Sequence, residues 1–177
     1  MSKKVIRFSL DSRSIDRAIR EVQNYKKWLS DKTNELVKAL AEEGVQIASI
    51  KFEQAVYDGT NDVSCNVEDR GEKKAAVLAV GGTVLFIEFG TGVTYPDNHP
   101  EAQQNGMIRG EYGKGKGANP KGWRYVGAPG TNGVLSPNAR KKSVIHTYGN
   151  PANMCMYGTV RELQERFEEI ARRVFND

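Results

Sequence analysis

The spacing of apolar residues changes several times along this chain, and each change predicts a new element. Ile6, Phe8 and Leu10 alternate with Arg7 and Ser9, the pattern of a short strand with one buried face. Asp11 and Ser12 then offer helix caps. Ile15, Ala18, Ile19, Val22, Tyr25 and Leu29 follow at helical spacing, and a second stripe resumes with Leu36, Val37, Leu40, Gly44, Ile47, Ala48 and Ala55. Between them, Ser30–Asn34 is polar and rich in capping residues, which makes it the place for this long helix to break or bend. Tyr57-Asp58-Gly59 reads as its end.

Three strands are predicted next. In 63–67, apolar Val63, Cys65 and Val67 alternate with Ser64 and Asn66. Segments 74–80 and 83–89 flank Gly81-Gly82, which reads as a two-residue hairpin turn whose glycines supply positive φ. Both hairpin strands are apolar on both faces: Ala76, Leu78 and Val80 are backed by Ala75, Val77 and Ala79, while Leu85, Ile87 and Phe89 are backed by Val84 and Phe86. Such a ribbon needs cover on both sides. The chain's helices can cover one side. The other calls for a second subunit, or else for the C-terminal helix and the long loop.

From Thr91 to Asn150 the periodicity fades. This span holds 11 of the 18 glycines and five of the six prolines. Its eight cations against three anions give +5, more than the +4 of the whole chain. A structureless stretch of this length inside a compact domain is usually functional or disordered. "SVIHTYG", residues 143–149, reads as a returning strand. The C-terminal helix is predicted from a capping box, Thr159 with Glu162, and from the stripe Val160, Leu163, Phe167, Ile170, Ala171 and Val174. Glu162/Arg166, Glu168/Arg172 and Glu169/Arg173 are i,i+4 pairs in the favourable order.

At 177 residues the chain reads most simply as one domain carrying an appendage, residues 91–150. Two cysteines, Cys65 and Cys155, make no disulfide framework and fit a reducing cytosol. The start "MSKKVIRFSL" lacks the apolar core of a signal peptide, and no run is long enough to span a bilayer, so neither secretion nor membrane insertion is expected. A pI near 9.0 permits an anionic neighbour without requiring one.

Candidate chemistry is sparse. "GEYGKGKG", residues 110–117, has the glycines of a phosphate loop, but neither Lys114 nor Lys116 precedes Ser or Thr, and no strand or helix frames it. His99, His146, Cys65 and Cys155 show no metal-ligand spacing, so surface or capping histidines are the expectation. No serine sits in a G-x-S-x-G elbow. Glu88 lacks a second carboxylate or histidine nearby in sequence to tune it as a base. No enzyme and no cofactor are expected. Trp123, Tyr112 and Tyr125 stand among the cations of the loop, where they either stack on bases or dock the loop on the protein.

Three segments together resemble a bacteriophage family, the tail-completion proteins (also described as tail component or minor structural proteins). "VLFIEFGTGVTYP", residues 84–96, resembles the strand ending in Glu-Phe-Gly-Thr that marks the family. Residues 40–69, "LAEEGVQIASIKFEQAVYDGTNDVSCNVED", are similar to its helix-to-strand passage, and 149–175, "GNPANMCMYGTVRELQERFEEIARRVF", to its closing helix. The likeness spans about 35–175, with a fainter echo in "SIDRAIREVQNYKKWL". Relatives of compact form join the Gly-Thr turn to the last helix by a short loop, where this chain inserts most of 60 residues.

The resemblance implies an α+β fold with helices packed on an antiparallel sheet. It also implies a virion protein, assembled in the host cytoplasm, that completes the head-proximal end of the tail and joins it to the neck. Such a protein forms a homo-oligomeric ring around the DNA channel, six subunits being the first expectation, and contacts other neck and tail proteins such as a terminator, connector or stopper. Within that reading, Glu88, Phe89, Gly90, Thr91 and Gly92 make a tight exit from the sheet, with Glu88 accepting hydrogen bonds from the turn or pairing with a neighbour's arginine. Arg109, Lys114, Lys116, Lys121, Arg124, Arg140, Lys141 and Lys142 would face DNA in the channel or touch adjoining rings. The alternative is a basic nucleic-acid-binding protein in which the 91–150 arm is the working part.

Overall fold

A computed structural model describes residues 5–57, 59–91, 98–107, 122–128, 133–136 and 144–176. The element order is α1 (Ser12–Glu53), β1 (Ser64–Asp69), β2 (Ala75–Val80), α2 (Val84–Phe89), β3 (Trp123–Val126), β4 (Val134–Leu135), β5 (Val144–Thr147) and α3 (Cys155–Asn176). The architecture is α+β: two long helices, with small antiparallel sheets packed beside them.

Helix α1 runs 42 residues without a break, about 63 Å at 1.5 Å per residue. Asp11 caps it as predicted, its carboxylate accepting from Ser14 N at 2.9 Å. The expected break at 30–34 does not occur. Thr33 Oγ1 donates to Leu29 O one turn back at 2.7 Å, Lys32 pairs with Glu35 at 3.0 Å, and Asn34 Oδ1 accepts Lys73 N at 2.8 Å. Lys32, Thr33 and Asn34 have thus found partners compatible with the helix. The strand expected from Ile6 to Leu10 is also absent; this segment forms no ladder, and Phe8 and Leu10 are exposed.

Strands β1 and β2 pair antiparallel from Ser64↔Val80 to Asp69↔Ala75, so the hairpin turn is Arg70–Lys74 and not Gly81-Gly82. The turn closes with Arg70 N donating to Lys74 O at 3.1 Å and Gly71 N to the Asp69 carboxylate at 2.8 Å. The face carrying Cys65, Val67, Val77 and Ala79 turns toward α1. Gly44 on α1 allows the approach: a Cβ there would lie 2.8 Å from Val77 Cγ2 and 3.1 Å from Leu163 Cδ1. Helix α1, strand β2 and helix α3 therefore meet at one glycine.

The predicted third strand, 83–89, is helix α2. Six apolar-rich residues carry too little periodicity to tell a strand from a buried helical turn and a half. Asp62 settles the local geometry by accepting Gly82 N at 2.7 Å and Thr83 N at 3.0 Å, which turns the chain away from the sheet. Gly81 and Gly82 have negative or extended φ; what Gly81 supplies is room, since a Cβ there would sit 2.8 Å from Asp62 O. Without a second strand, the doubly apolar ribbon does not exist. Its demand for cover by another subunit lapses with it.

Helix α3 lies antiparallel along α1. Phe52, Ile87 and Cys155 form the core cluster, with Cys65, Ala79 and Met156 packed on it. Along the outer seam, Glu43 of α1 takes Arg166 at 2.6 Å and Arg173 at 3.7 Å, while Lys51 meets Glu162 at 3.1 Å. The Glu168/Arg172 and Glu162/Arg166 pairs form at 2.6 and 3.9 Å, but Arg173 turns to Glu43 instead of Glu169. The predicted capping box is not the start of α3. The helix begins four residues earlier, and Thr159 is buried inside it, donating to Cys155 O at 2.7 Å.

Candidate functional site: a carboxylate clasp at the base of the arm

Helix α3 starts at Cys155 because Glu88, 67 residues upstream, supplies its cap. Glu88 Oε2 accepts Met156 N at 2.7 Å and Oε1 accepts Tyr157 N at 3.0 Å. These are first-turn amides with no acceptor inside their own helix. The carboxylate also sits where the α3 dipole is positive, so its charge is stabilised there. A third donor completes the set: His99 Nε2 lies 3.0 Å from Glu88 Oε1. His99 Nδ1 accepts Glu101 N at 3.0 Å, which assigns the ring proton to Nε2, facing the carboxylate.

Glu88 and His99 are 5% and 4% exposed, so this is a buried polar cluster and all of its strong groups are matched. The imidazole is held between Phe89 at 4.3 Å and the edge of Tyr157 at 5.6 Å, centroid to centroid. Two expectations are corrected here. His99 is neither a surface nor a simple capping histidine, and Glu88 does have a histidine beside it. A sequence separation of eleven residues hid the pairing from a local reading. Glu88 also lies in a helix, not at a strand's end, and within its own chain it is held by two backbone amides and an imidazole.

The backbone around the clasp is bound as tightly. Asn153 Oδ1 accepts Val56 N at 2.8 Å, and its amide donates to Val56 O at 3.0 Å and Ile87 O at 3.2 Å. Asn153 N and Met154 N donate to Ile87 O and Glu88 O at 3.0 and 3.1 Å. Gly90 leaves α2 with φ +79°, and a Cβ there would meet Ala152 N at 2.7 Å and Asn150 O at 2.8 Å. Only glycine satisfies both the angle and the approach. The turn at Gly90 leaves a helix, where an exit from a sheet was expected.

Thr91 N then donates to Asn150 O at 2.9 Å, while Thr91 Oγ1 accepts Asn150 N at 3.0 Å and Asn150 Nδ2 at 3.1 Å. The first and last residues of the 91–150 insertion are thus joined to one another. The described part of the arm has structure of its own. Residues 98–106 form helical turns that bury His99 and Ala102. Strands β3 and β4 pair antiparallel on either side of β5, the returning strand expected near the arm's end, and Ile145 and Thr147 of β5 are buried.

Of the cations expected to face DNA, Arg124 is exposed on β3 opposite His146. Arg109, Lys114, Lys116, Lys121, Arg140, Lys141 and Lys142 lie outside the described residues, as do Gly92, Tyr112 and the whole glycine-rich 110–117 run. Tyr125 donates to Ala128 O at 3.0 Å, which ties its hydroxyl to the arm. Among the described residues no group of three His, Cys, Asp or Glu could hold a metal ion, and no helix is long and apolar enough to cross a membrane.

Chemically, the clasp is a buried carboxylate–imidazole pair in which Glu88 Oε1 accepts two hydrogen bonds, Oε2 accepts one, and both nitrogens of His99 are engaged. A cavity of about 540 Å³ opens beside it, lined in part by Leu85, Val160 and Arg161. Burial, and next the charge of Glu88, push the Cys155 thiol up to about 12. No protein family, curated protein or solved structure matches this chain.

Proposed function

We infer that this chain is a structural subunit of a bacteriophage virion that completes the head-proximal end of the tail and joins it to the neck. One observation carries the reading. The three segments that resemble tail-completion proteins are the three that Asn153 and Glu88 tie together: Val56 from the first, Ile87 and Glu88 from the second, and Asn153, Met156 and Tyr157 from the third. Residues that merely shared a spelling by chance would have no reason to converge on one hydrogen-bonded cluster. Convergence supports a likeness of fold.

The insertion suits this role physically. Its ends are pinned at Thr91 and Asn150, so a long basic arm can project from the body without loosening it. In this reading the arm reaches neighbouring rings or lines the DNA channel. The expectation of a ring rests on the resemblance, since the two-faced ribbon is gone.

Negative-stain imaging of the purified protein, alone and mixed with isolated phage tails, tests the proposal. Rings, or tails labelled at one end, are the expected result; a persistent monomer that ignores tails would refute it. Titration with duplex DNA separates the alternative. A protein that works through its arm as a nucleic-acid binder loses affinity steeply as salt rises, while a tail subunit binds free DNA feebly at physiological salt.

A further inference from the structure

Helix α1 is longer than the body it serves. Helix α3 ends beside Trp28, where Phe175 meets the indole edge at a centroid distance of 5.9 Å. From Ser12 to Lys27, α1 continues alone for about four turns, roughly 24 Å. The apolar residues of this stretch and its base, Ile15, Ile19, Val22, Tyr25 and Leu29, are 38–49% exposed. The preceding residues do not cover them, because Val5, Phe8 and Leu10 are themselves exposed.

The stripe has the period of a helix–helix seam. Ile15, Val22 and Leu29 recur every seven residues, with Ala18 and Tyr25 three residues after the first two, giving a and d positions of a heptad. The b, c and f positions between them are Asp16, Arg17, Arg20, Gln23, Asn24 and Lys27, all polar. The d positions, Ala18 and Tyr25, set no orientation, so charge decides it, and it favours parallel helices. In that register, Glu21 at g of one helix faces Lys26 at e of the next copy, an opposite-charge pair made twice. An antiparallel pairing centred on Val22 would instead bring the two Glu21 carboxylates together. Ile19 at e and Trp28 at g extend the apolar strip to either side of the seam.

We propose that residues 15–29 of α1 pair in parallel with the same segment of a second copy of this chain, as a short two-stranded coiled coil. This inference stands on α1 alone and does not depend on the tail-protein reading. About two heptads make a weak contact by themselves. They act strongly where copies are already held close, because the second contact is then intramolecular.

Cysteine cross-linking of the full-length chain tests the proposal. Val22→Cys places two thiols across an a–a′ contact within disulfide reach, while Arg20→Cys, at f, points them apart. Under mild oxidation, Val22→Cys is expected to form covalent dimer at least about tenfold faster than Arg20→Cys, with the wild type and its native thiols as baseline. Val22→Asp is expected to shift sedimentation toward monomer while leaving the melting of the body unchanged. Equal cross-linking by the two cysteine variants would overturn the proposal. So would association unaffected by Val22→Asp, or a chain that stays monomeric while its helix binds anionic vesicles. Rings that persist in Val22→Asp without Val22→Cys cross-linking would sink this pairing and leave the tail-protein reading intact.

Discussion

Replacing Glu88 is the most informative perturbation of this fold, because one side chain joins three distant parts of the chain. Glu88→Ala removes the cap of α3, worth about 1–2 kcal/mol. It also strands the Nε2–H of His99 in the interior, which adds about 1–3 kcal/mol. The sum is about 2–5 kcal/mol. Glu88→Gln keeps the shape but replaces one acceptor with a donor. Its amide must then face either Met156 N–H or the Tyr157 N–H and His99 pair, so a loss of about 2 kcal/mol is expected. Urea denaturation followed by helical circular dichroism measures both. Against a typical total of about 5–15 kcal/mol these are large fractions. A Glu88→Gln variant within about 0.5 kcal/mol of wild type would refute the reasoning, since surface substitutions alone reach that size. A cycle combining Glu88→Gln with His99→Phe adds a check: the two changes should be less than additive, because each removes the same contact.

Other outcomes follow from particular contacts. Gly90→Ala should cost about 2–4 kcal/mol in the same urea assay, from left-handed strain plus collision with the backbone of Asn150 and Ala152. Glu43→Gln should cost about 1 kcal/mol and lose its salt dependence, because Glu43 sits between Arg166 and Arg173 at a half-shielded seam. Cys155 makes stability fall in alkali. Its thiol titrates at about 12 in the fold against an ordinary 9.0, so the native chain keeps a proton that the unfolded chain releases. That contribution is intact below pH 9 and declines as pH rises toward 12; Cys155→Ala should flatten the slope over this window in pH-dependent melting curves.

The helices were legible in the sequence because their stripes are long. Asp11 as a cap, the apolar positions from Leu36 to Ala48, and Ile170 and Val174 of α3 all follow from spacing, and β1 follows from its alternation, whereas Phe167 of the expected stripe is exposed. Short elements were ambiguous for a physical reason. Val84–Phe89 is apolar at every position but Glu88, so its helical state is decided by Asp62 holding Gly82 and Thr83, a contact that no local pattern announces. The capping box failed in the same way: Thr159 and Glu162 have the right spelling, but Glu88 caps α3 a turn earlier from across the fold. The "EFG" spelling did mark the site, as the carboxylate, the aromatic wall of the histidine and the left-handed glycine. His99 was missed, since its signal is spatial. It lies within a stretch whose glycine and proline content resembles loop, and only the fold brings it onto Glu88.

Native-state hydrogen exchange at Met156 and Tyr157 tests most directly the claim that Glu88 fastens the start of α3. First-turn amides of a helix lack an internal acceptor and ordinarily exchange through local fraying. Here both are expected to exchange only through global unfolding, with protection matching that of Ile170 in the helix interior, and to lose that protection in Glu88→Gln. Rapid exchange of these two amides in the wild-type chain, with the rest of α3 protected, would contradict the account.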